Sequence, residues 1–252
     1  MRRTVSLALR AGLALCWAGA WLVVPERTRA DGTPDVYAVY ETRVGGAREL
    51  RRWSFTRRGS ELEYHFLDKK LSERWRRDAR GNPSYSRVFH GERTIVRYMH
   101  GDLLAFGVKP DWSKLSHVVS PPAEAGFVRG KPARVLGHDA ARHHGELGAK
   151  RLEIMWIDAL QIPAEVQVTA KGRPRIVVRL VELQTEVPAL LSLTDYRQID
   201  VTDFGDMERD PFVVRHHGDP VPGDAPSLAV HEPLPSPSTA VADRRGPPAH
   251  RH

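Results

Sequence analysis

Histidines are the first residues of this chain whose chemistry stands out. They cluster at His138, His143 and His144 and again at His216 and His217. Only alternate residues of a strand share a face, and His138 and His144 on one strand would lie about 20 Å apart. A metal site would therefore need the two clusters to meet in the fold. We keep histidine-based metal binding as a second alternative and predict no cofactor.

An acidic run is the next candidate. Its members are Asp200, Asp203, Asp206, Glu208 and Asp210. Calcium ions need several carboxylate ligands, but this spacing is not that of an EF-hand loop. We predict an ordered turn whose carboxylates cap backbone amides, and not a cation site.

Arginines make the early part of the chain locally basic. Guanidinium groups bind phosphate oxygens in pairs, so this stretch is suited to lipid head groups. The predicted head-group contacts are Arg51, Arg52, Arg74 and Arg76. The alternative is a solvated face balanced by neighbouring acids such as Glu61 and Glu63.

Aromatic side chains at strand spacing form a candidate apolar lining. A pocket for a small hydrophobic ligand is mostly apolar with a few polar groups. The predicted lining residues are Trp53, Phe55, Tyr64, Phe66, Tyr98, Phe106 and Trp156. The alternative is that these residues simply form the core. Trp75 and Tyr85 have charged neighbours, and we expect them to be exposed.

Catalytic signatures are absent from the sequence. It contains no Gly-x-Ser-x-Gly element and no His-Glu-x-x-His element. The single cysteine, Cys16, lies in an apolar leader, so thiol chemistry is not expected of the rest. Asp203-Phe204-Gly205 matches a kinase element by chance, since no glycine-rich loop accompanies it. We predict that the protein is not an enzyme.

The elements that must position these residues are mostly strands. Leu62, Tyr64 and Phe66 alternate with polar residues, and Thr94, Val96 and Tyr98 form a similar series. Further strands are predicted at 151–157, 164–169 and 175–183, with a helix at 110–119 and a turn around 190–195. Short glycine-containing turns between the runs indicate antiparallel neighbours. We predict a mainly β fold: a curved antiparallel sheet of about eight to ten strands, an incomplete β-barrel, with one or two helices.

Both ends of the chain differ from this domain. Residues 1–30 have the charged start, apolar middle and small final residue of a secretory signal peptide, so we predict a periplasmic protein. Without that arginine-bearing leader the chain is only slightly basic, and no nucleic-acid partner is expected. Residues 218–252 are proline-rich and lack aromatic residues, which predicts a disordered tail. The domain is predicted at 31–217, and its oligomeric state is left open.

One family resemblance covers about residues 36–185. The long meander, Gly137-His138-Asp139-Ala140 before a strand, and Trp156 followed by Leu160-Gln161-Ile162-Pro163-Ala164 resemble the LolA/LolB-like superfamily, which includes RseB-type sensors. The stretch 196–212 resembles a segment of exported bacterial proteins. The superfamily resemblance implies a helical lid over an apolar concavity that holds acyl chains.

The resulting hypothesis is a non-enzymatic envelope protein that holds an acyl chain, a lipid or a lipidated protein partner in the concave face. A membrane surface is a further candidate partner. The first alternative is a structural or protein-interaction module whose core is filled by its own side chains.

Overall fold

The computed structural model describes residues 32–45, 50–171 and 173–219. The predicted signal peptide, 1–30, lies outside the described residues. So does the predicted tail from residue 220 onward. In the described part of the chain, no helix combines the length and the apolar character needed to cross a membrane.

The fold is mainly β, with one large unclosed sheet of twelve strands. The strands are β1 (Val36–Val44), β2 (Leu50–Arg58), β3 (Glu61–Phe66), β4 (Leu71–Arg77), β5 (Pro83–Phe89), β6 (Thr94–Tyr98), β7 (Val128–Val135), β8 (His138–Leu147), β9 (Lys150–Ile157), β10 (Ile162–Ala170), β11 (Arg173–Gln184) and β12 (Arg197–Asp200). The predicted fold class is confirmed.

The sheet joins two antiparallel meanders. Its order is β12-β6-β5-β4-β3-β2-β1-β11-β10-β9-β8-β7. The first meander runs from β1 to β6, and the second from β7 to β11. The two meanders join where β1 pairs with β11, so the first strand in the sequence lies near the middle of the sheet. The two details that differ from prediction are the strand number and β12, which pairs parallel to β6.

Within the described ranges, three short helices accompany the sheet, one more than predicted. They are α1 (His100–Ala105), α2 (Trp112–His117) and α3 (Pro211–His216). The expected helix at 110–119 is α2, which begins after Asp111, whose side chain accepts a hydrogen bond from the Lys114 amide. A capping carboxylate at this position satisfies an amide that has no partner within the helix.

The acidic run becomes the ordered turn that was predicted. Val201–Gly205 forms a 3-10 helix, and Asp210 caps α3 by accepting hydrogen bonds from the amides of Phe212 and Val213. Pro211 occupies the first position of α3, where its missing N–H costs nothing. The side chain of Asp200 pairs with Arg97.

The core lies on one face of the sheet, which we call the inner face. Alternate residues of neighbouring strands meet there, as with Phe55, opposite Ala38 on one side and Tyr64 on the other. The expectation that Trp75 and Tyr85 are exposed is wrong, since they are 2% and 1% exposed. Their strand period places them on the inner face, although Trp75 is flanked by Arg74 and Arg76 and Tyr85 lies two residues from Arg87.

Candidate binding site beneath a helical cover

The inner face is covered by residues 99–127, which we call the lid segment. It contains α1 and α2 and connects the two meanders. Its buried apolar side chains are Leu103, Val108, Leu115 and Val118, all of which join the core cluster. The lid segment therefore occupies the apolar surface that a hydrophobic ligand would need.

Arg57 holds this cover in place from the sheet. Its side chain is among the largest that are fully buried, with 1% exposure. The guanidinium donates to the carbonyl oxygens of Ser116 in α2, of Leu160 at 2.6 Å and of Pro34 at 2.7 Å. In the described part of the chain its acceptors are main-chain carbonyls and not carboxylates. One buried cation thus ties together three separate segments.

Burial lowers the pKa of Arg57 to about 10, because the charged guanidinium loses its water. The hydroxyl-bearing rings of Tyr64 and Tyr40 and the carboxylate of Asp35 act in the opposite direction. The group is still a cation at neutral pH. It is a positive charge at the β2–β3 end of the inner face, and its hydrogen bonds go to neutral carbonyl groups.

Two further polar contacts connect the lid segment to the sheet. The Tyr64 hydroxyl donates to the Leu115 carbonyl in α2. The His117 ring bridges the Ser113 carbonyl at 2.6 Å and the side-chain amide of Gln161 at 2.9 Å. Most of these contacts to the lid segment reach its backbone, so they depend little on its side chains.

The backbone is strained where α2 ends. Val118 has φ 70° and ψ −39°, a left-handed conformation that β-branched residues rarely adopt. Such a residue costs about 1–3 kcal/mol and persists only when its surroundings hold it. Its side chain is buried in the core, which supplies that restraint. The strain would be released if the lid segment left the inner face.

A second cover lies on the inner face of β5 and β6, formed by α3 and the residues to Asp219. The Phe89 ring contacts Phe212 at 5.1 Å and His216 at 4.3 Å between centroids. Beneath it, the buried guanidinium of Arg87 lies 3.5 Å from Glu73 and 4.0 Å from Asp219. Here carboxylates balance the buried cation.

The predicted lining residues do not all occupy one kind of environment. Five of them are buried in the core: Trp53, Phe55, Tyr64, Tyr98 and Trp156. Phe66 is partly buried against that core, and Phe106, in the lid segment, is 49% exposed. The inner face is largely apolar, and the protein's own lid segment packs against it.

The predicted head-group arginines lie in different places. Arg74 pairs with Glu63 in a largely buried ion pair, whereas the exposed Arg76 pairs with Glu61 across the same strands, β3 and β4. Arg52 lies 3.9 Å from Glu182, and Arg51 is partly buried opposite Thr42 near the open end of β1 and β2.

The histidine clusters do not meet. His143 is buried on the inner side of β8, whereas His144 is exposed on the other side of the same strand. His216 in α3 contacts Glu92 and Asp219, each at 2.9 Å. Within the described ranges, no group of three His, Cys, Asp or Glu residues is placed to hold a metal ion. The two clusters therefore offer no shared metal site.

Sequence reasoning treated Arg57 as one arginine of a basic stretch and missed its role. The available signal was its position: it continues the inner-face alternation of Trp53 and Phe55, so the period of two places it inside. A charged residue in register with core residues is buried only when its donors are satisfied.

Comparison with known proteins yields structural similarity only. No family model matches the sequence, and no curated protein matches it. Similar solved structures include PNGF-II, with 12% identity, a TM-score of 0.40 and coverage of 71% of this chain and 34% of that one. MucB has 14% identity, a TM-score of 0.36 and coverage of 67% and 61%. The chain thus spans about a third of PNGF-II and less than two thirds of MucB.

A third similar structure is a putative outer membrane lipoprotein-sorting protein domain from Vibrio parahaemolyticus. It has 12% identity, a TM-score of 0.28 and coverage of 66% of this chain and 91% of that one. Together with MucB, it is one of the solved structures to which this chain is weakly similar. At these TM-scores the similarity assigns no function to this chain.

Proposed function

We propose that this protein is a non-enzymatic binding protein of the cell envelope. It holds an acyl chain, of a lipid or of a lipidated partner, against the inner face after the lid segment has moved aside. The observation that carries the proposal is the way Arg57 and Tyr64 hold the lid segment by its main-chain carbonyls over an apolar surface. The envelope location rests on the leader sequence and the family resemblance.

The surface beneath the lid segment has the chemistry of an acyl site. Tyr64, which contacts Leu115 of the lid segment, lies beside Phe55 and Leu62. The stacked rings of Tyr40 and Trp53, whose centroids are 4.6 Å apart, continue the inner face next to Phe55. Burying one such side chain contributes about 1.5–3 kcal/mol. An acyl chain that replaced the four buried apolar residues of the lid segment would restore a similar apolar contact.

Arg57 supplies the polar part of the same site. Once Ser116 leaves, its guanidinium lacks one acceptor and remains a cation. A carboxylate or phosphate makes shorter and stronger hydrogen bonds with guanidinium than a neutral carbonyl does. The site therefore favours an acyl ligand with an anionic or carbonyl-bearing end, and the strain at Val118 reduces the cost of opening.

The test is hydrogen exchange measured by mass spectrometry with a fluorescent long-chain fatty acid as the probe. We expect saturating probe to increase exchange in peptides from 100–118 and to leave β2, β3 and β10 unchanged. The control is Arg80→Lys, a change at an exposed position that should leave both binding and exchange as in the wild type. A folded protein that fails to bind the probe, or that binds it with no change at 100–118, contradicts the proposal.

A second candidate function is a protein-interaction module with a self-filled core. It is favoured by the burial of five of the seven predicted lining residues, of which Phe55 has no exposed surface. In that case Leu115→Ala in α2 should only destabilise the protein. Under the acyl-binding proposal the same variant should also bind the probe more tightly, because it weakens the competing lid.

A further inference from the structure

Six neighbouring strands have ends at one edge of the sheet, and this edge is basic. The adjoining ends of β8 and β9, of β10 and β11, and of β1 and β2 all lie there, as the pairings of Lys150 with Ala170, of Ala170 with Arg173 and of Val44 with Ile176 show. We call the following exposed side chains the basic rim: Arg43, Lys150, Lys171, Arg173 and Arg175. Neighbouring strands lie about 4.8 Å apart, so the rim spans about 15–20 Å.

An open cleft lies within the basic rim. It has a volume of about 510 Å³ and is bounded by Lys150, Arg151 and Lys171 together with Glu146 and Thr169. The Arg151 side chain pairs with Glu153 at 3.1 Å. Positive charge therefore exceeds negative charge along this edge.

An apolar row lies directly behind the basic rim on the inner face. Leu152 pairs with Val168, Val168 with Ile176, and Ile176 with Val44, so four strands contribute one apolar residue each in register. All four side chains are partly exposed. The apolar row extends the inner face towards the end of the sheet where the basic rim lies.

We propose that the basic rim and the apolar row form a docking surface for an anionic phospholipid membrane. Charge complementarity selects this partner: a line of lysines and arginines meets the phosphate layer, and the apolar row behind it meets the acyl boundary. Each basic residue near an anionic bilayer contributes about 1 kcal/mol. A polyanion without an apolar layer, such as DNA, would leave the apolar row unused.

This inference goes beyond the proposed function, because the basic rim makes none of the Arg57 or Tyr64 contacts. It holds whether or not the lid segment opens. If both are correct, the membrane would lie next to the open end of the inner face, from which an acyl chain could pass without crossing water.

The experiment is sedimentation of the purified full chain with vesicles of phosphatidylglycerol and phosphatidylcholine, compared with vesicles of phosphatidylcholine alone. We expect binding to the anionic vesicles that weakens as salt is added. The rim variant is a triple variant with the substitutions Arg43→Gln, Arg173→Gln and Arg175→Gln. It should lower the partition coefficient by about tenfold or more. The control variant carries the three substitutions Lys109→Gln, Arg80→Gln and Arg134→Gln. It removes the same charge from exposed positions elsewhere and should change the partition coefficient by less than about twofold.

Two outcomes would overturn the inference: an equal effect of the two triple variants, or tighter binding to duplex DNA than to vesicles at equal phosphate concentration. The substitution Leu152→Gln provides an independent test of the apolar row. It should weaken vesicle binding without changing retention on a cation-exchange column, and unchanged vesicle binding by this folded variant counts against the apolar row. Fatty-acid binding by the rim variant should equal that of the wild type, which separates this inference from the proposed function.

Discussion

Two buried arginines hold two covers on the same inner face, and their partners differ. Arg57 beneath the lid segment donates to neutral carbonyls of Pro34, Ser116 and Leu160. Arg87 beneath α3 has the carboxylates of Glu73 and Asp219 nearby and donates to the Tyr85 hydroxyl at 3.1 Å. The Asp35 carboxylate acts on Arg57 through its charge, but the hydrogen bonds of Arg57 go to neutral carbonyls, which an anion from outside can replace. Arg87 already has two carboxylates beside it. On the proposed function, this difference in partners makes the lid segment, and not α3, the cover that we expect to open.

The largest effect is expected from Arg57→Leu. The change leaves buried carbonyls on three segments without donors, and each unsatisfied group costs about 1–3 kcal/mol. We expect the free energy of unfolding to fall by about 3–5 kcal/mol in urea titration. Hydrogen exchange should rise most at 100–118. Arg57→Lys keeps the charge but has a different donor geometry, so it should recover only part of the loss.

Arg87→Met is the matched change beneath α3. It leaves Glu73 partly buried without its cation, and we expect a loss of about 2–4 kcal/mol, with increased exchange confined to 211–219. The double variant Glu73→Gln, Arg87→Met should be more stable than Arg87→Met alone, because it removes both charges. If Arg57→Leu and Arg87→Met loosened the same peptides, the two covers would not be independent.

Acid tests a third region, the face of the sheet opposite both covers, where the His90 ring contacts Ser72 and Tyr196. Burial and the neighbouring His65 hold the pKa of His90 below its usual value, while Glu63 acts in the opposite direction and Arg74 adds to the lowering. The unfolded chain therefore takes up this proton at a higher pH than the folded chain does. Stability contributed by neutral His90 is present above the usual histidine range and is lost as pH falls through the folded pKa.

We expect the melting temperature to fall between pH 7 and pH 5, and His90→Gln to flatten that dependence. The contacts at stake are the hydrogen bonds of the His90 ring with Ser72 at 2.8 Å and Tyr196 at 3.2 Å. Thermal melts of both proteins across this range check the prediction. An identical slope in the variant would assign the pH dependence to other groups.

The smallest effect is expected at the turn between β7 and β8, outside both covers. Leu136 has φ 47° and Gly137 φ 84°, and the Leu136 side chain is half exposed. Asparagine adopts this left-handed conformation at lower cost. Leu136→Asn should raise the free energy of unfolding, measured by urea titration, by about 0.5–1 kcal/mol. Hydrogen exchange in residues 100–118 and 211–219 should stay unchanged relative to the rest of the chain.

The sequence predicted the strands and helices that depend on residues close together along the chain. The predicted strands at 151–157 and 164–169 lie within β9 and β10, and the helix at 110–119 contains α2. It did not predict what depends on distant pairing. The partnership of β1 with β11 and the contact of Arg57 with α2 require long-range contacts that no local pattern encodes. For Arg57 and Trp75 the period of two gives the buried face but not the partners that satisfy them.

The place of β1 in the sheet has a consequence for how the chain folds. Within each meander, consecutive strands are neighbours, so their pairing closes only short loops, which form rapidly. The junction of β1 with β11 joins residues such as Tyr37 and Gln184 that are far apart in the chain. We expect this late, non-local step to limit the folding rate. Until it occurs, two strand edges stay unpaired and are the most aggregation-prone part of the nascent protein.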